Sequence, residues 1–290
     1  MDVSHALTDG TGAHEIARTL LYYYCSDRYR IPHDPAGIRL AGDVISSEEW
    51  DDPAPRVTLE PPEDDNGGMQ KPVLNIVGMS GLENDTRKTV YSISIDEGEF
   101  MHFNIEHDGS PGTIVSLLLS RAIASIHPES QSRIVISLCV NLRNALGCPL
   151  AHQSLVSDVC LEYKERMRKY PLTMQAMMYR GMVFLQTQVE KTMTVMGYIN
   201  RNTREMLSMS TDRARAAAAK KLSEGIKQLR TATVSYVGKG SFADAERYIR
   251  EYHMLANAVN ENILIEISAV NGRFMLVSLL VIGVFTVFSV

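Results

Sequence analysis

The sequence predicts an α/β protein: a mixed sheet flanked by helices, in a two-layer α+β sandwich. Three observations carry this. Apolar runs of strand length alternate with stretches of helical period along most of the chain. Asn271-Gly272 joins two apolar runs and is the best short hairpin signal present. An apolar fraction of 45% with 22% charged residues is an ordinary globular balance, sufficient for a core in 290 residues.

The elements follow in order. Residues 12–30 read as a helix, with Ile16, Leu20, Tyr23 and Tyr24 recurring at three- and four-residue spacing. Residues 47–72 are acidic and rich in Pro and Gly, with no apolar period, and read as a loop or linker. Val73–Val77, Val90–Ile95 and Glu99–Ile105 are short strand-like runs. A helix follows, with Ser110 as its cap, Pro111 in its first turn and Pro128 just past its end. RIVISLCV, residues 133–140, has the pattern of a strand buried on both faces, and a second strand-like run covers Ser154–Tyr163. A long helical stretch spans about residues 171–229 and carries Met174, Met177, Met178, Met182, Met193, Met196, Met206 and Met209. Such a methionine stripe reads as plastic core rather than a ligand site. Within it, RARAAAAKKL (213–222) is a strong helix former. Residues 231–237 read as a strand, 241–252 as a helix opened by Ser241, and 263–270 as a strand. The Asn-Gly turn then predicts an antiparallel strand from Phe274 onward.

The tail itself supports two readings. Phe274 to Val290 is seventeen residues without a charge. As a helix it would be roughly 25 Å long at about 1.5 Å per residue, close to the ~30 Å of a bilayer's hydrocarbon core, with Arg273 at its flank. Its β-branched residues around Gly283 (Val277, Val281, Ile282, Val284, Thr286, Val287 and Val290) fit a buried strand hairpin equally well. The chain is expected to be cytoplasmic, membrane-associated only if this tail is an anchor. Residues 1–20 contain Asp2, Asp9, Glu15 and Arg18 and have no signal-peptide pattern.

Several function classes are disfavoured. A net charge of −5 argues against a general nucleic-acid binder. Cys25, Cys139, Cys148 and Cys160 form no Cys-x-x-Cys pair, and no histidine cluster has zinc-ligand spacing, so no metal site is expected. The cysteines read as free thiols of a reduced compartment. No Gly-rich phosphate loop or Ser-His-Asp set is present.

The motif that carries chemistry is at the front: His5-Ala6-Leu7-Thr8-Asp9-Gly10, a His-x-x-x-Asp-Gly string leading into a helix. As a bare string it is also an ordinary loop with an Asp-Gly turn. A second element, VNLR (140–143), ends the apolar strand 133–140. Together with residues 138–167, 179–190, 230–252 and 263–274, these resemble the chloramphenicol-acetyltransferase-like superfamily. That group includes condensation domains and bacterial alcohol-acetyltransferase-like proteins, and the resemblance extends over about residues 3–273.

The resemblance implies acyl transfer, acetyl in the simplest case, from a CoA or other pantetheine thioester to a small-molecule alcohol or amine. His5 would be the general base, suited by the ordinary imidazole pKa near 6.5. Asp9 and Arg143 would form a buried ion pair holding the histidine loop, and Gly10 would permit its turn. Ser235 lies where some relatives place a hydroxyl near the donor arm or the oxyanion; a solvent-facing strand serine is the plainer reading. Ser4 stands where many relatives have a first histidine, and the tryptophan-containing motif of the plant branch is absent, the one tryptophan being Trp50. His107-Asp108-Gly109 lacks the three-residue spacer and reads as a turn. His152 reads as structural, and His14 as solvated or capping.

In that family most of an N-terminal half-domain precedes the motif loop, whereas only Met1–Ser4 precede His5 here. The expected organisation is therefore the end of an N-terminal half-domain at 1–46, a linker at 47–72, a C-terminal half-domain at 73–273 and the apolar tail at 274–290. The expectation is a fragment of a longer acyltransferase. The alternative is a non-catalytic, membrane-tethered remnant. Oligomeric state is not legible.

Overall fold

Among the described residues, strand alternation builds one mixed sheet of six strands: β1 (Lys88–Asp96), β2 (Val135–Asn141), β3 (Val156–Glu162), β4 (Ala232–Lys239), β5 (Leu264–Val270) and β6 (Arg273–Val281). Their spatial order is β1-β6-β5-β4-β2-β3. β4 runs parallel to β2 and β5, and the other pairings are antiparallel. The computed structural model describes residues 1–5, 7–30, 34–35, 37–57, 72–76, 88–256 and 263–281.

The register separates the sheet into two chemically different faces, because side chains alternate along each strand and directly paired residues share a face. One face carries Ile136, Leu138, Val159, Leu161, Val234, Ile267 and Phe274, all in the main core. The helices that cover it, α3 (Pro111–Ile126) and α4 (Leu172–Gln186), contribute Ile114, Leu117, Ile123, Ala176 and Tyr179 to that core. The opposite face carries Ser137, Thr233, Glu266 and Ser268, all buried. This second face is the one that meets the N-terminal motif.

Local chemistry explains the helix boundaries. In α3 the Ser110 amide donates to Thr113 Oγ1 (2.9 Å), a capping box, and Pro111 occupies the first turn. In α1 (Gly10–Tyr29) Asp9 is the cap. The β5–β6 turn has positive φ at both Asn271 (47°) and Gly272 (76°), the combination a two-residue hairpin requires.

Some expectations are corrected. Residues 99–105 are not a strand; they belong to helix α2 (Glu97–Glu106). The Asp96 carboxylate caps it by accepting from the Glu99 amide at 3.0 Å, a signal that outweighs the short apolar alternation. The long helical stretch is three helices: α4, α5 (Val189–Ser208) and α6 (Asp212–Lys227), the last capped by Thr211. Of the methionines, Met178 and Met182 pack on the core and Met196 is buried, but Met174 and Met177 are exposed. Residues 241–252 form only a 3₁₀ turn, Ala243–Tyr248, rather than a helix. There, burial of Phe242, Ala245 and Ile249 against Cys25 and Val270 overrides helical propensity. Val73 makes a single bridge to Arg133, and Val77 lies outside the described residues. Of the linker, 58–71 lie outside them too; Ser47–Trp50 and Ala54–Arg56 are 3₁₀ turns.

The membrane-helix reading of the tail is corrected for residues 274–281, which form most of β6 between β1 and β5. Phe274, Met275 and Val277 are buried although they point to opposite faces. A strand covered on both sides needs a continuous apolar run, the same signal that suggests a membrane helix. Residues 282–290 lie outside the described residues. Among the described residues no single helix is long and apolar enough to cross a membrane.

Candidate active site

The site is assembled where Thr8, Asp9 and Gly10 meet the segment after β2, the residue before β3 and the end of β4. Asp9 and Arg143 meet there in a bidentate pair: Nη1 to Oδ2 at 2.8 Å and Nη2 to Oδ1 at 2.9 Å, with both side chains 3% exposed. Arg143 spends every remaining N–H. Its Nε donates to the Ala151 carbonyl (2.7 Å), Nη2 to the Gln153 carbonyl (2.7 Å) and Nη1 to Asn141 Oδ1 (3.2 Å). Asp9 in turn accepts the Leu155 amide (2.8 Å) and the Gly12 amide (3.2 Å). Burial by itself would raise the Asp9 carboxyl. The Arg143 hydrogen bonds and charge, with the two amides, outweigh it and hold Asp9 below the ordinary carboxylate range.

A second clasp fixes the same loop. Thr8 Oγ1 donates to the His152 carbonyl at 2.5 Å. His152 bonds Glu49 twice, through its ring (Nε2 to Oε2, 3.1 Å) and through its amide to the Glu49 carbonyl (3.0 Å). Glu49 also pairs with Arg39 and accepts the Ser46 amide, and the Ser46 amide, Arg39 and His152 hold its carboxyl down at about 2. His152 is thus structural in this arrangement. Glycines let the loop seat so closely. A Cβ on Gly10 would fall 2.7 Å from Val237 Cγ2, and one on Gly12 would overlap the Thr8 hydroxyl and lie 2.7 Å from the His152 carbonyl oxygen.

His5 sits in a turn at the front of this loop and is exposed; the turn closes with the Leu7 amide donating to the Ser4 carbonyl at 2.9 Å. Ser235 is on the polar face of β4, directly paired with Glu266 of β5 and hydrogen-bonded to its carboxylate. It is a half-buried neighbour of that acid rather than a solvent-facing serine. His14 is corrected as well. It is neither solvated nor a cap, but packs edge-on against Phe242 and Tyr252 with Nδ1 3.2 Å from the Tyr252 hydroxyl, and burial lowers its pKa.

Two acids of this region escaped the sequence reading. Glu266 is an acid at an inward position of ILIEISAV, a charge inside an apolar strand. Glu49 stands three residues after Ser46, the spacing of a capping box, inside a stretch whose composition reads as linker.

The fold has clear relatives among solved structures. The chain superimposes on the epimerization domain from the third module of tyrocidine synthetase B (TM-score 0.52, 9% identity), covering 99% of this chain and 66% of that one. The chain has the chloramphenicol-acetyltransferase-like fold. It is also similar to polyketide synthase associated protein 5 from Mycobacterium tuberculosis (TM-score 0.55, 11% identity, 98% of this chain and 69% of that one). F. sporotrichioides TRI101, complexed with coenzyme A and T-2, matches with TM-score 0.53 and 12% identity over 98% of this chain and 62% of its own. The chain therefore spans about two thirds of the length of these neighbours. No family model matches the sequence, and the search of curated proteins gives no match.

Proposed function

We propose that the chain performs acyl transfer from a CoA thioester to the hydroxyl or amine of a small acceptor, with His5 as general base. The observation that carries this reading is the doubly anchored loop. A buried ion pair and a threonine clasp together hold the loop, and His5 stands exposed three residues before the clasp. Ion pairs of this burial are expensive to assemble, which fits a role in orienting a group for chemistry.

In the proposed step, the His5 imidazole takes the proton from the acceptor's O–H or N–H. The freed lone pair attacks the thioester carbonyl and a tetrahedral oxyanion forms. Ser235 is the candidate donor to that oxyanion or to the donor arm. Collapse breaks the C–S bond, and the imidazolium returns its proton to the departing thiolate. Asp9 and Arg143 transfer no proton; they keep the loop in register. The CoA-bound neighbour TRI101 supports the choice of donor by analogy of fold.

The test is thiol release by the full chain given acetyl-CoA and a panel of small alcohols and amines. His5→Ala should lower turnover by about 10²-fold or more. Undiminished turnover in that variant removes His5 as the base. The exposure of His5 favours one rival, a chain that binds without catalysing. Acetyl-CoA binding with no thiol release from the wild type, whatever the acceptor, would select it.

A further inference from the structure

Helix α4 is apolar around its whole circumference, and a helix of that kind is ordinarily covered on every side. Its inner side is accounted for: Ala176 and Tyr179 are fully buried in the main core, and Leu172, Met178, Met182 and Val183 pack against that core. Its outer side lacks such a cover among the described residues. Met174 and Met177 are 46% and 53% exposed, and Phe184 and Leu185 are 65% and 66% exposed. Three- and four-residue steps through Gly181 place all of these on one face of the helix. The one charged side chain of α4, Arg180, is paired with Asp108 and leaves the stripe uncharged. A continuous apolar stripe of this kind marks a contact surface rather than a solvated face.

Gly181 is the middle of the stripe, with Met177 one turn before it and Leu185 one turn after. Glycine is a poor choice inside a helix, and nothing in this chain requires one here: a Cβ at Gly181 would meet no atom within 4 Å. What a missing Cβ does allow is the close approach of another backbone. The ends of α4 have opposite character. Arg166, Arg168 and Lys169 are exposed just ahead of its N-terminus, form no salt bridge among the described residues, and sit where the helix dipole is already positive. Glu165 is the one acid of that turn. The other end has no basic residue in its last turn to offset its open carbonyls, and Glu190 and Lys191 beyond it cancel.

We propose that the outer face of α4 is the contact surface for a second copy of this chain, the two α4 helices crossing antiparallel about a two-fold axis at Gly181. Such an axis requires one patch to complement itself. About Gly181 it does: Met177 of each copy meets Leu185 of the other, the two glycines face each other at the crossing, and Phe184 flanks them. The antiparallel arrangement also sets the basic N-terminal end of each helix beside the open carbonyls at the C-terminal end of the other. A partner helix of unrelated sequence gains nothing from that symmetry. The stripe is small beside the roughly 20–30 residues a side of a standard interface, so the dimer forms with a dissociation constant on the order of 10 μM. The inference is independent of the acyl-transfer reading, because the proposed reaction uses no residue of α4.

The experiment is sedimentation equilibrium of the full chain, without ligand, from about 1 to about 200 μM. The expected result is a reversible rise from the mass of one chain to that of two. Gly181→Leu is the discriminating variant. Its side chain enters open space in the single chain, so circular dichroism and the melting curve at low concentration should show an intact fold. At the helix crossing the same side chain should weaken the dimer at least about tenfold. Simple stickiness of an apolar patch would instead be strengthened by the added side chain, and a tighter dimer overturns the proposal. Met177→Glu and Leu185→Lys should each be monomeric over the same range. The double variant sets the two new charges opposite each other across the axis and should dimerise again. A wild type that keeps the mass of one chain throughout overturns the proposal and leaves the stripe to a different partner. A dimer unaffected by Gly181→Leu and by Met177→Glu also overturns it, since the contact then lies elsewhere. If Gly181→Leu does not fold, the two single charge variants and their double carry the same comparison.

Discussion

Arg143 uses all five of its N–H groups on Asp9, Asn141 and the carbonyls of Ala151 and Gln153. Removing it leaves the Asp9 carboxylate buried without its counter-charge. Arg143→Ala should therefore cost about 3–5 kcal/mol in urea unfolding. Arg143→Lys should recover little of this, because an ammonium cannot reproduce the bidentate fork. The acid limb of stability has a defined sign. Asp9 and Glu49 are both depressed in the folded state. Each contributes stability that is present above the ordinary carboxylate range and is lost as pH falls through its folded value, towards about 2 for Glu49. Tm should decline steeply below about pH 4, and Asp9→Asn should flatten that decline. Glu266 behaves oppositely, since burial raises its carboxyl above the ordinary value. Its contribution is present at low pH and is lost as pH rises through the folded value. Glu266→Gln should thus raise Tm at pH 7 and leave it nearly unchanged at pH 4. A lower Tm at pH 7 would mean the acid is compensated by a partner beyond Ser235.

Among the elements, the β5–β6 hairpin depends on its two-residue turn. Gly272 sits at φ 76° with open space where a Cβ would go, so the penalty for a side chain is conformational rather than steric. Gly272→Val should cost about 1–2 kcal/mol, read from the denaturation midpoint. Gly12 in α1 fails for the other reason: its Cβ position is occupied by Thr8 and the His152 carbonyl. Gly12→Ala should break the threonine clasp, and its loss should appear in turnover as well as in stability. The apolar stripe of α1 carries a different lesson. Ile16, Leu20, Tyr23 and Tyr24 have helical spacing, yet Leu20 is 54% and Tyr24 59% exposed, while Gly12, Ala17 and Cys25 form the buried side. Leu20→Ser with Tyr24→Ser should change the stability of this chain by less than about 0.5 kcal/mol each.

At the scale of the molecule, the sheet divides the work. Its apolar face binds α3 and α4 into the core, and its polar face carries the anchored loop, Ser235 and Glu266. Ile267, central on the apolar face and fully buried, should cost about 2–5 kcal/mol when cut to Ala. That loss should come without a change in the pH dependence of turnover, because no site residue shares its face. The neighbours of the same fold are longer than this chain by about a third of their own length. Their activities reach this chain only through the proposal tested above.

Much of this was legible in residue order alone. The Asn-Gly turn, the Ser110-Pro111 start of α3 and the apolar run of β2 are local signals, because the physics that forms them acts over a few residues. The His-x-x-x-Asp-Gly string and Arg143 were visible as candidates through the resemblance to a known family, since the bare string is also an ordinary loop. What needed tertiary structure was every distant pairing except Asp9 with Arg143, which the resemblance implies. Glu49 with His152, Ser235 with Glu266, and the placing of residues 274–281 of a membrane-like run in a strand between β1 and β5 depend on which surfaces the fold brings together. Residues 241–252 show the limit from the other side, since a helical period there yields to the burial of Phe242 and Ile249. Sequence determined the alphabet of strands, turns and ionisable groups. Only the sheet's register decided which of those groups share a face, and a one-residue shift would have sent Glu266 into the apolar core.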